Sequence, residues 1–332
     1  MSHNSAYRGD EVVLMLTVGQ KGPPPGIGIK RSSKIWTVTF TTNGEYYIVG
    51  GGDGVGVWRV KDGKQMATLA ARHVNCLAAS KDGRWTATGT EIDYAATVWD
   101  ANTFEQVSRH VEVTFGVDFS PDSTRLVVVS ADRTATVFDV ATRKRVLAIH
   151  HKDTVRAAKY SPQGDRIATA TRESVRVWDS NEGRFLVDIP VTVTPYYNTG
   201  LLWSNNHLFV ISDSTIKEFG ASTGSAISEW PVASADHLSR IALAQHGEVI
   251  VYATNDTVTF WDTSTHTQLG FIQHPQDISS IALSPDSRFL AICEHGGKIT
   301  MESLSCITVS IYRVPLDYAG SEQLSCSAHL SK

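Results

Sequence analysis

The stretch "SPDSTRLVVVSADRTATVFD", residues 120–139, determines the fold of this chain. It consists of a Ser-Pro turn, a hydrophobic run, a second turn, and another hydrophobic run that ends in an aromatic residue and an acid. Short runs rich in Val and Thr between turn-forming residues predict β-strands. The stretch therefore predicts two adjacent strands joined by a tight turn, and the same order recurs along most of the chain.

The recurrence has a period of about 40 residues. One marker is the bulky residue that ends the later hydrophobic run, and the other is the turn-forming residue before the earlier run. Both markers occur seven times, at separations of 39 to 42 residues. The bulky residues are Trp58, Trp99, Phe138, Trp178, Phe219, Trp261 and Met301, and the turn residues are Gly44, Gly83, Ser123, Gly164, Asn206, Gly247 and Ser287. Self-similarity at this period predicts a repeat architecture.

Each repeat contains four short runs that predict strands, and no stretch shows a sustained helical period. A small four-stranded sheet cannot bury both of its faces alone, so seven such sheets must stack, and radial stacking also protects the sheet edges. The predicted fold class is therefore all-β: a seven-bladed β-propeller of four-stranded antiparallel blades.

The residues resemble the WD-repeat (WD40) family over most of the chain. Trp-Asp pairs begin at Trp99, Trp178 and Trp261, and Ser-Pro turns begin at Ser120, Ser161 and Ser284. A histidine stands 11 residues before the proline of each turn, at His110, His151 and His274. The resemblance implies a propeller that acts as a non-enzymatic scaffold for protein interactions and uses no cofactor.

The resemblance also implies a hydrogen-bonded network of Trp, Ser or Thr, His and Asp inside each blade. The structural repeat positions are Trp58, Trp99, Trp178, Trp261, His110, His151 and Asp132. No blade has all four members: the third has Phe138, which lacks an indole N–H, and the fourth has Arg172 where the turn Asp is expected. Stability is therefore expected to rest mainly on hydrophobic stacking between blades.

The chain divides into residues 1–25, an N-terminal extension; residues 26–316, the propeller; and residues 317–332, a loose C-terminal tail. The run "ITVSIYRV" at 307–314 is rich in strand formers and is predicted to complete the seventh blade through a short connection. Residues 11–18 are expected to add at most an outer edge strand. The segment "GIGIK" at 26–30, where the family often takes its closing strand, is glycine-rich and predicts a poor strand.

Composition excludes several classes of function. The net charge of -4 and the pI near 6.3 give no general attraction to nucleic acid or to an anionic membrane. The cysteines, Cys76, Cys293, Cys306 and Cys326, have neither metal-site nor disulfide spacing. We therefore expect a cytoplasmic protein without a metal site, and it could be one module of a larger assembly.

One short motif suggests an enzyme. "GASTG", residues 220–224, fits the GxSxG pattern of a serine nucleophile, but such a serine requires a strand-to-helix turn, and no helical pattern follows. The segment coincides with the turns between the third and fourth strands of the other repeats. A surface turn is therefore the preferred interpretation, and hydrolase activity is a remote alternative.

The loops offer the candidate binding residues. Aligning the repeats puts Trp36, Asn75, Phe115 and Arg156 at one equivalent position near the start of the innermost strand. Trp and Arg are enriched in interface hot spots, whereas the alternative for Trp36 and Phe115 is packing against the next blade. The third and fourth repeats add a basic group: Arg133, Lys152, Arg166, Arg172 and Arg176.

These residues favour a scaffold that presents one propeller rim to a protein or peptide, with Arg133, Arg156 and Arg172 suited to an acidic or phosphorylated segment. The alternative is a ligand- or glycan-binding sensor propeller that uses pockets between blades. The loops differ strongly from one repeat to the next, which favours a single asymmetric partner. Fold alone does not identify that partner.

Overall fold

The computed structural model describes residues 12–18, 29–31, 33–90, 92–111, 113–193, 200–212, 214–232, 240–244, 247–304 and 307–313. The regular structure in these ranges consists of antiparallel strands. They form seven sheets of four strands and one sheet of two strands. The predicted seven-bladed, all-β propeller is confirmed.

The strands are numbered in chain order. Two strands precede the first blade: β1 (Val12–Val18) and β2 (Ile29–Lys30). Blade 1 contains β3 (Ile35–Phe40), β4 (Tyr46–Gly51), β5 (Gly54–Arg59) and β6 (Gln65–Leu69). Blade 2 contains β7 (Val74–Ala79), β8 (Trp85–Thr90), β9 (Ala95–Asp100) and β10 (Gln106–Val111). Blade 3 contains β11 (Thr114–Phe119), β12 (Arg125–Ser130), β13 (Thr134–Asp139) and β14 (Arg145–His150). Blade 4 contains β15 (Ala157–Tyr160), β16 (Arg166–Ala170), β17 (Val175–Asp179) and β18 (Phe185–Ile189).

The remaining strands follow the same order. Blade 5 contains β19 (Leu201–Ser204), β20 (His207–Ser212), β21 (Thr215–Gly220) and β22 (Ala226–Pro231). Blade 6 contains β23 (Arg240–Leu243), β24 (Val249–Thr254), β25 (Thr257–Asp262) and β26 (Gln268–Gln273). Blade 7 contains β27 (Ile278–Leu283), β28 (Phe289–Glu294), β29 (Lys298–Ser303) and, as its outer strand, β2. The last strand is β30 (Ile307–Arg313).

The Ser-Pro turns explain one of the two sequence markers. Ser120 Oγ donates to Asp122 Oδ1 at 2.5 Å and accepts from the backbone N of Arg125 at 2.9 Å, which closes the turn between β11 and β12. Ser123 in that turn has φ of +63°. Six of the seven turn markers are Gly or Ser at positive φ, a conformation that glycine adopts without strain. In blade 5 the positive φ belongs to Asn205 rather than to Asn206.

The core lies between blades. One buried cluster joins Val127 and Val137 of blade 3 to Ile167 and Trp178 of blade 4, and the same pattern recurs around the ring. Each large apolar side chain buried in this way stabilises the fold by roughly 1.5–3 kcal/mol. The innermost strands lie side by side in sequence order, and β27 lies beside β3, so the ring is closed.

The ring closes through the N-terminal side of the chain, so the prediction that residues 307–314 complete blade 7 is wrong. Backbone pairing joins Ile29 to Ile299 and Lys30 to Lys298, which makes β2 the outer strand. β30 pairs instead with β1 in a separate two-stranded sheet that runs beside β26. Val314 and Glu11, the outer limits of the two predicted segments, lie outside the described residues.

A side chain explains how such a short strand suffices. Arg31 follows β2 directly, and its backbone N donates to Gly297 O of blade 7 at 2.8 Å. Its guanidinium donates to Val49 O at 3.0 Å and to Gly54 O at 3.1 Å in blade 1, and it pairs with Asp53. This side chain is 10% exposed. Arg31 therefore fastens blade 7 to blade 1, an effect that composition and loop-closure cost do not reveal.

Candidate interaction rim and blade network

Blade 4 contains three of the four residues of the repeat network. Trp178 Nε1 donates to Thr169 Oγ1 at 2.8 Å, and His151 Nε2 lies 2.8 Å from the same oxygen. His151 Nδ1 is buried and has no side-chain partner among the described residues, and the turn position that the family fills with Asp holds Arg172. Burial lowers the pKa of His151 to about 4, so its imidazole is neutral at pH 7. The sequence predicted Trp178 and His151 but missed Thr169.

The other blades keep different parts of the network. In blade 2 Trp99 Nε1 donates to Thr88 Oγ1 at 3.0 Å. In blade 3 Phe138 stacks on His110, with ring centroids 3.8 Å apart, and burial lowers the pKa of His110. Asp132 does not reach that histidine but accepts from the backbone N and hydroxyl of Thr134.

Blades 1 and 6 depart further. In blade 1 the guanidinium of Arg31 lies 5.6 Å from the ring centroid of Trp58, in the place of the network histidine. In blade 6 Trp261 Nε1 donates to Thr259 Oγ1 of its own strand at 2.9 Å. Trp58, Trp99 and Trp178 are thus buried and Trp261 is partly buried. Trp99 and Trp178 donate to the equivalent threonine of the second strand, whereas Trp58 and Trp261 have other partners.

The candidate binding residues lie at one end of the propeller. The upper rim consists of the loops that enter the innermost strands and the turns between second and third strands, including residues 31–34, 52–53, 70–73, 92–94, 131–133, 151–156, 171–174, 255–256 and 295–297. The lower rim is the opposite end, with the turns between first and second and between third and fourth strands. The two rims therefore present loops from different parts of each repeat.

The four residues at the equivalent rim position contact neighbouring blades. Trp36 stacks on His73, the residue before blade 2, with ring centroids 5.9 Å apart. Asn75 Nδ2 donates to Thr114 O of blade 3 at 3.2 Å. The guanidinium of Arg156 in blade 4 lies 5.9 Å from the ring centroid of Phe115 in blade 3.

Burial separates these four residues into two pairs. Asn75 and Phe115 are only 7% and 8% exposed, so both act mainly in packing between blades. Trp36 and Arg156 are half-buried and offer surface on the upper rim. Packing and recognition are therefore combined at this position.

The basic group divides between the two ends of the propeller. Arg133, Lys152 and Arg172 are exposed on the upper rim, and none of them forms an ion pair within the described ranges. Arg166 instead lies at the lower rim, where its Nη1 donates to Ser222 Oγ at 2.8 Å. Arg176 pairs with Asp188 of the neighbouring strand at 2.8 Å. Arg166 and Arg176 belong to the predicted basic group but do not add unpaired cations to the upper rim.

The GxSxG segment forms a turn between β21 and β22, as the preferred interpretation predicted. Ser222 Oγ donates to Asn206 Oδ1 at 2.6 Å and accepts from Arg166. Both partners hold the turn in place, and neither can act as a general base for the serine. The segment "HGG" at 295–297 lies on the upper rim, at the other end of the blade.

A second serine lies in a cluster of titratable side chains between blades 5 and 6. Ser228 Oγ and Glu218 Oε2 lie 3.2 and 3.3 Å from the same nitrogen, Nε2 of His266. A Ser-His-acid triad needs the acid on the nitrogen opposite the serine, so this geometry does not activate Ser228. His207 Nδ1 also contacts buried Glu218, at 2.6 Å, and Trp230 stacks on His266 at 4.5 Å. The cluster joins the two blades.

Within the part of the chain that the structure describes, no group of three or more His, Cys, Asp or Glu side chains could hold a metal ion. No helix among the same residues is long and apolar enough to cross a membrane.

Comparison with known proteins connects the fold to a family. The model of the family "WD domain, G-beta repeat" (WD40) matches residues 63–100, 105–139, 142–179 and 265–301. Each match begins before the outer strand of one blade and ends with the third strand of the next. Four segments of the chain therefore match the WD40 repeat, and the resemblance to WD-repeat proteins is confirmed. Because the repeats are staggered by one strand, the last blade must take its outer strand from elsewhere.

The chain is also similar to three curated proteins at low identity. A serine-threonine kinase receptor-associated protein of Gallus gallus is 22% identical, over 54% of this chain and 52% of the relative. WD repeat-containing protein 18 of Danio rerio is 24% identical, over 73% of this chain and 63% of the relative. The transcriptional corepressor LEUNIG_HOMOLOG of Arabidopsis thaliana is 21% identical, over 80% of this chain and 35% of the relative. The chain thus spans about a third to two thirds of the length of these relatives.

Proposed function

We propose that this chain is an interaction scaffold that docks one protein or peptide partner on its upper rim. The observation that carries the proposal is the group of Arg133, Lys152 and Arg172, which are exposed on adjacent blades and form no ion pair within the described ranges. Arg156 lies on the same rim over the ring of Phe115, which limits its conformations. Exposed cations that form no ion pair within the described ranges are available to a partner.

An acidic or phosphorylated segment is the partner that fits these cations. The planar guanidinium binds a carboxylate or phosphate through two parallel hydrogen bonds, which a rim with three arginines can repeat. Each loop also contains a carboxylate: Asp132, Asp153 and Glu173. Asp132 is engaged by Thr134 within its own turn, whereas Asp153 and Glu173 are exposed and would help to set the register of the partner.

The family and the relatives support a scaffold in general terms. WD40 repeats and relatives that include a receptor-associated protein and a corepressor favour a protein whose role is to bind other proteins. The proposal extends that role to this chain without assigning it the partners of either relative. A cytoplasmic location is part of the same proposal; Cys76 and Cys293 form no disulfide.

Charge reversal on the two rims tests the proposal. A library of random 12-residue peptides is selected on the full chain, and the affinity of the selected peptides is measured for the wild type, an Arg133→Glu/Arg172→Glu variant, and an Arg166→Glu control. We expect acidic residues to be enriched, and the double variant to bind at least about tenfold more weakly. The control changes a cation of the lower rim and should bind as the wild type does. Equal losses in both variants, or no enrichment of acids, would contradict the proposal.

A ligand-binding propeller is the competing candidate. In the described ranges an open cleft lies on the lower rim between blades 7 and 1, lined by residues that include Asn43, Ser284 and Asp286. Asn43 Oδ1 and Asp286 Oδ1 already accept hydrogen bonds within their own turns. Few polar groups therefore remain to orient a glycan or other small ligand, so the rim scaffold is the function better supported.

A further inference from the structure

Two exposed hydrophobic residues lie close together on the upper rim. Ile92 and Tyr94 are each 56% exposed and are two positions apart in the turn between β8 and β9. The other large hydrophobic residues exposed in the described ranges lie on outer strands, one to a blade: Met66, Val146, Phe185, Ile227 and Phe271. Single exposed residues are ordinary on protein surfaces, but adjacent ones on a rim indicate a binding surface. Residues 92–94 are called the blade 2 crest.

The crest is held in one conformation. The hydroxyl of Thr90 donates to the backbone O of Ala95 at 3.3 Å and accepts from its backbone N at 3.2 Å, which ties together the two ends of the turn. Arg109 Nη2 donates to the backbone O of Asp93 at 3.0 Å. Tyr94 has φ of +49°, a conformation that a non-glycine residue keeps only when its surroundings require it. A fixed loop loses little entropy when it binds.

The surroundings of the crest are mostly cationic. Arg72, in the loop before β7, and Arg109, on β10, are exposed and form no ion pair among the residues that the structure describes. Within the crest itself, residues 92–94, Asp93 carries the carboxylate. The next blade adds Arg133 on the same rim, so the crest is continuous with the cationic surface described above.

We propose that the blade 2 crest binds a large apolar side chain of the same acidic peptide segment that the rim arginines bind. This inference rests on the proposed function and adds the apolar residue as a second determinant of recognition. Ile92 and Tyr94 would contact that side chain, and Arg72 and Arg109 would pair with acidic residues beside it. A second copy of this chain fits poorly, because a twofold contact of crest against crest would bring the same cations together.

A coupling experiment tests the crest. From the 12-residue library selected on the full chain, one peptide is synthesised together with a form in which its apolar residue is replaced by Ser, and the dissociation constants are measured by fluorescence polarisation. On the wild type we expect the apolar-to-Ser change to weaken binding about tenfold. On an Ile92→Ser/Tyr94→Ser variant the same change should cost less than about twofold, because the crest no longer distinguishes the two peptides.

The matched control is Ile227→Ser, which removes an equally exposed isoleucine from the outer strand of blade 5. It should discriminate between the two peptides as the wild type does. If the unfolding midpoint of the double variant differs from that of the wild type, the two single variants are measured in its place. Equal discrimination by the wild type and the crest variant would overturn the inference, as would loss of discrimination in the control.

Acid-to-Gln peptides separate this inference from the proposed function. If the acidic residues couple to Arg133 and Arg172 while the apolar residue does not couple to the crest, only the crest inference fails. If neither couples, or if no peptide is selected, both fail. If the chain dimerises in gel filtration and the crest variant does not, a second copy is the occupant and the inference is overturned.

Discussion

Blade 4 and blade 7 hold equivalent places in the ring but are stabilised by different bonds. Blade 4 is one continuous segment, β15 to β18, and its centre contains the hydrogen bonds of Thr169 with Trp178 and His151. Blade 7 has Ile292 at the position of Thr169, and Glu302 pairs with Leu290 as Trp178 pairs with Ile167, so neither hydrogen bond can form. Met301, the sequence marker of this repeat, pairs with Ala291 and is one residue out of register. Its outer strand comes from the N-terminal side of the chain.

Blade 7 is held by contacts with its neighbours instead. Met301 and Ile299 share a buried cluster with Tyr47 and Trp58 of blade 1, and Arg31 links the same two blades. His274 Nδ1 lies 3.1 Å from the buried carboxylate of Glu294 but makes no hydrogen bond among the described residues, and Lys298 Nζ lies 3.4 Å from the same carboxylate. The comparison shows that a blade can lose its internal network where closure of the ring supplies the missing contacts.

The largest expected effect concerns the closure of blade 7. Removal of residues 1–31 deletes β2 and Arg31, whereas removal of residues 305–332 deletes β30, and both truncations break the pair formed by β1 and β30. We expect the first truncation to lower the free energy of unfolding by about 3 kcal/mol or more relative to the second, because it removes the outer strand of blade 7 together with the hydrogen bonds from Arg31 to blade 1. Urea unfolding measures the difference. A greater loss from the C-terminal truncation would show that β2 does not close the ring.

The next effect concerns the aromatic residue of blade 4. Trp178→Ala should destabilise by about 3–5 kcal/mol and Met301→Ala by about 2–5 kcal/mol, because both side chains are buried between blades. Ser222→Ala, on an exposed turn, should change stability by no more than about 0.5 kcal/mol. Trp178→Phe removes the indole N–H while keeping an aromatic ring, and its cost relative to Trp178→Ala separates the hydrogen bond from packing. Equal losses at Trp178 and Ser222 would contradict the repeat register.

The contribution of Arg31 to the closure between blades 7 and 1 should be measurable by substitution of that residue alone. Arg31→Ala is expected to cost about 2 kcal/mol, since it leaves Asp53 and two backbone carbonyls without their charged donor. Arg31→Lys keeps the charge, but its ammonium group cannot form all the hydrogen bonds that the planar guanidinium makes. It should therefore recover only part of that loss. Full recovery by lysine in urea unfolding would show that charge alone holds the closure.

The buried histidine of blade 4 predicts a dependence on pH. The pKa of His151 in the folded protein is about 4, below the value of about 6.5 for an unperturbed histidine, because burial disfavours the charged form. The unfolded chain therefore binds the additional proton, and stability present above pH 6.5 is lost as the pH falls toward 4. The slope is at most about 1.4 kcal/mol per pH unit. Urea unfolding of His151→Gln from pH 7 to 4 should show a shallower dependence than the wild type; an unchanged slope would assign the effect to other groups.

The smallest effects on stability are expected at the upper rim. Trp36→Ala loses the stack on His73 and should cost about 1 kcal/mol, while Arg156→Glu should stay within about 0.5 kcal/mol. Both should weaken binding of the selected acidic peptides, because both side chains offer surface on that rim. Binding unaffected by both changes in folded protein would place the docking surface elsewhere.

Much of the fold could be predicted because its causes are local. Gly83 and Ser123 recur at the repeat period because a tight turn needs positive φ there, and Trp99 and Trp178 recur because each blade needs a large buried side chain. The rim was predicted less completely. Ile92 and Tyr94 were missed, since the sequence does not show that a turn leaves apolar residues in solvent.

The sequence by itself determined the period, the four strands of each unit, the turn positions and the type of propeller, because these depend on residues close together in the chain. Only the tertiary structure decided that β2 closes the ring, that Arg172 and Arg166 lie on opposite rims, and that Phe115 is buried between blades. These outcomes depend on contacts between residues distant in sequence, such as Arg31 and Asp53. Contacts of this kind form only when the whole ring assembles, and local propensity does not specify them.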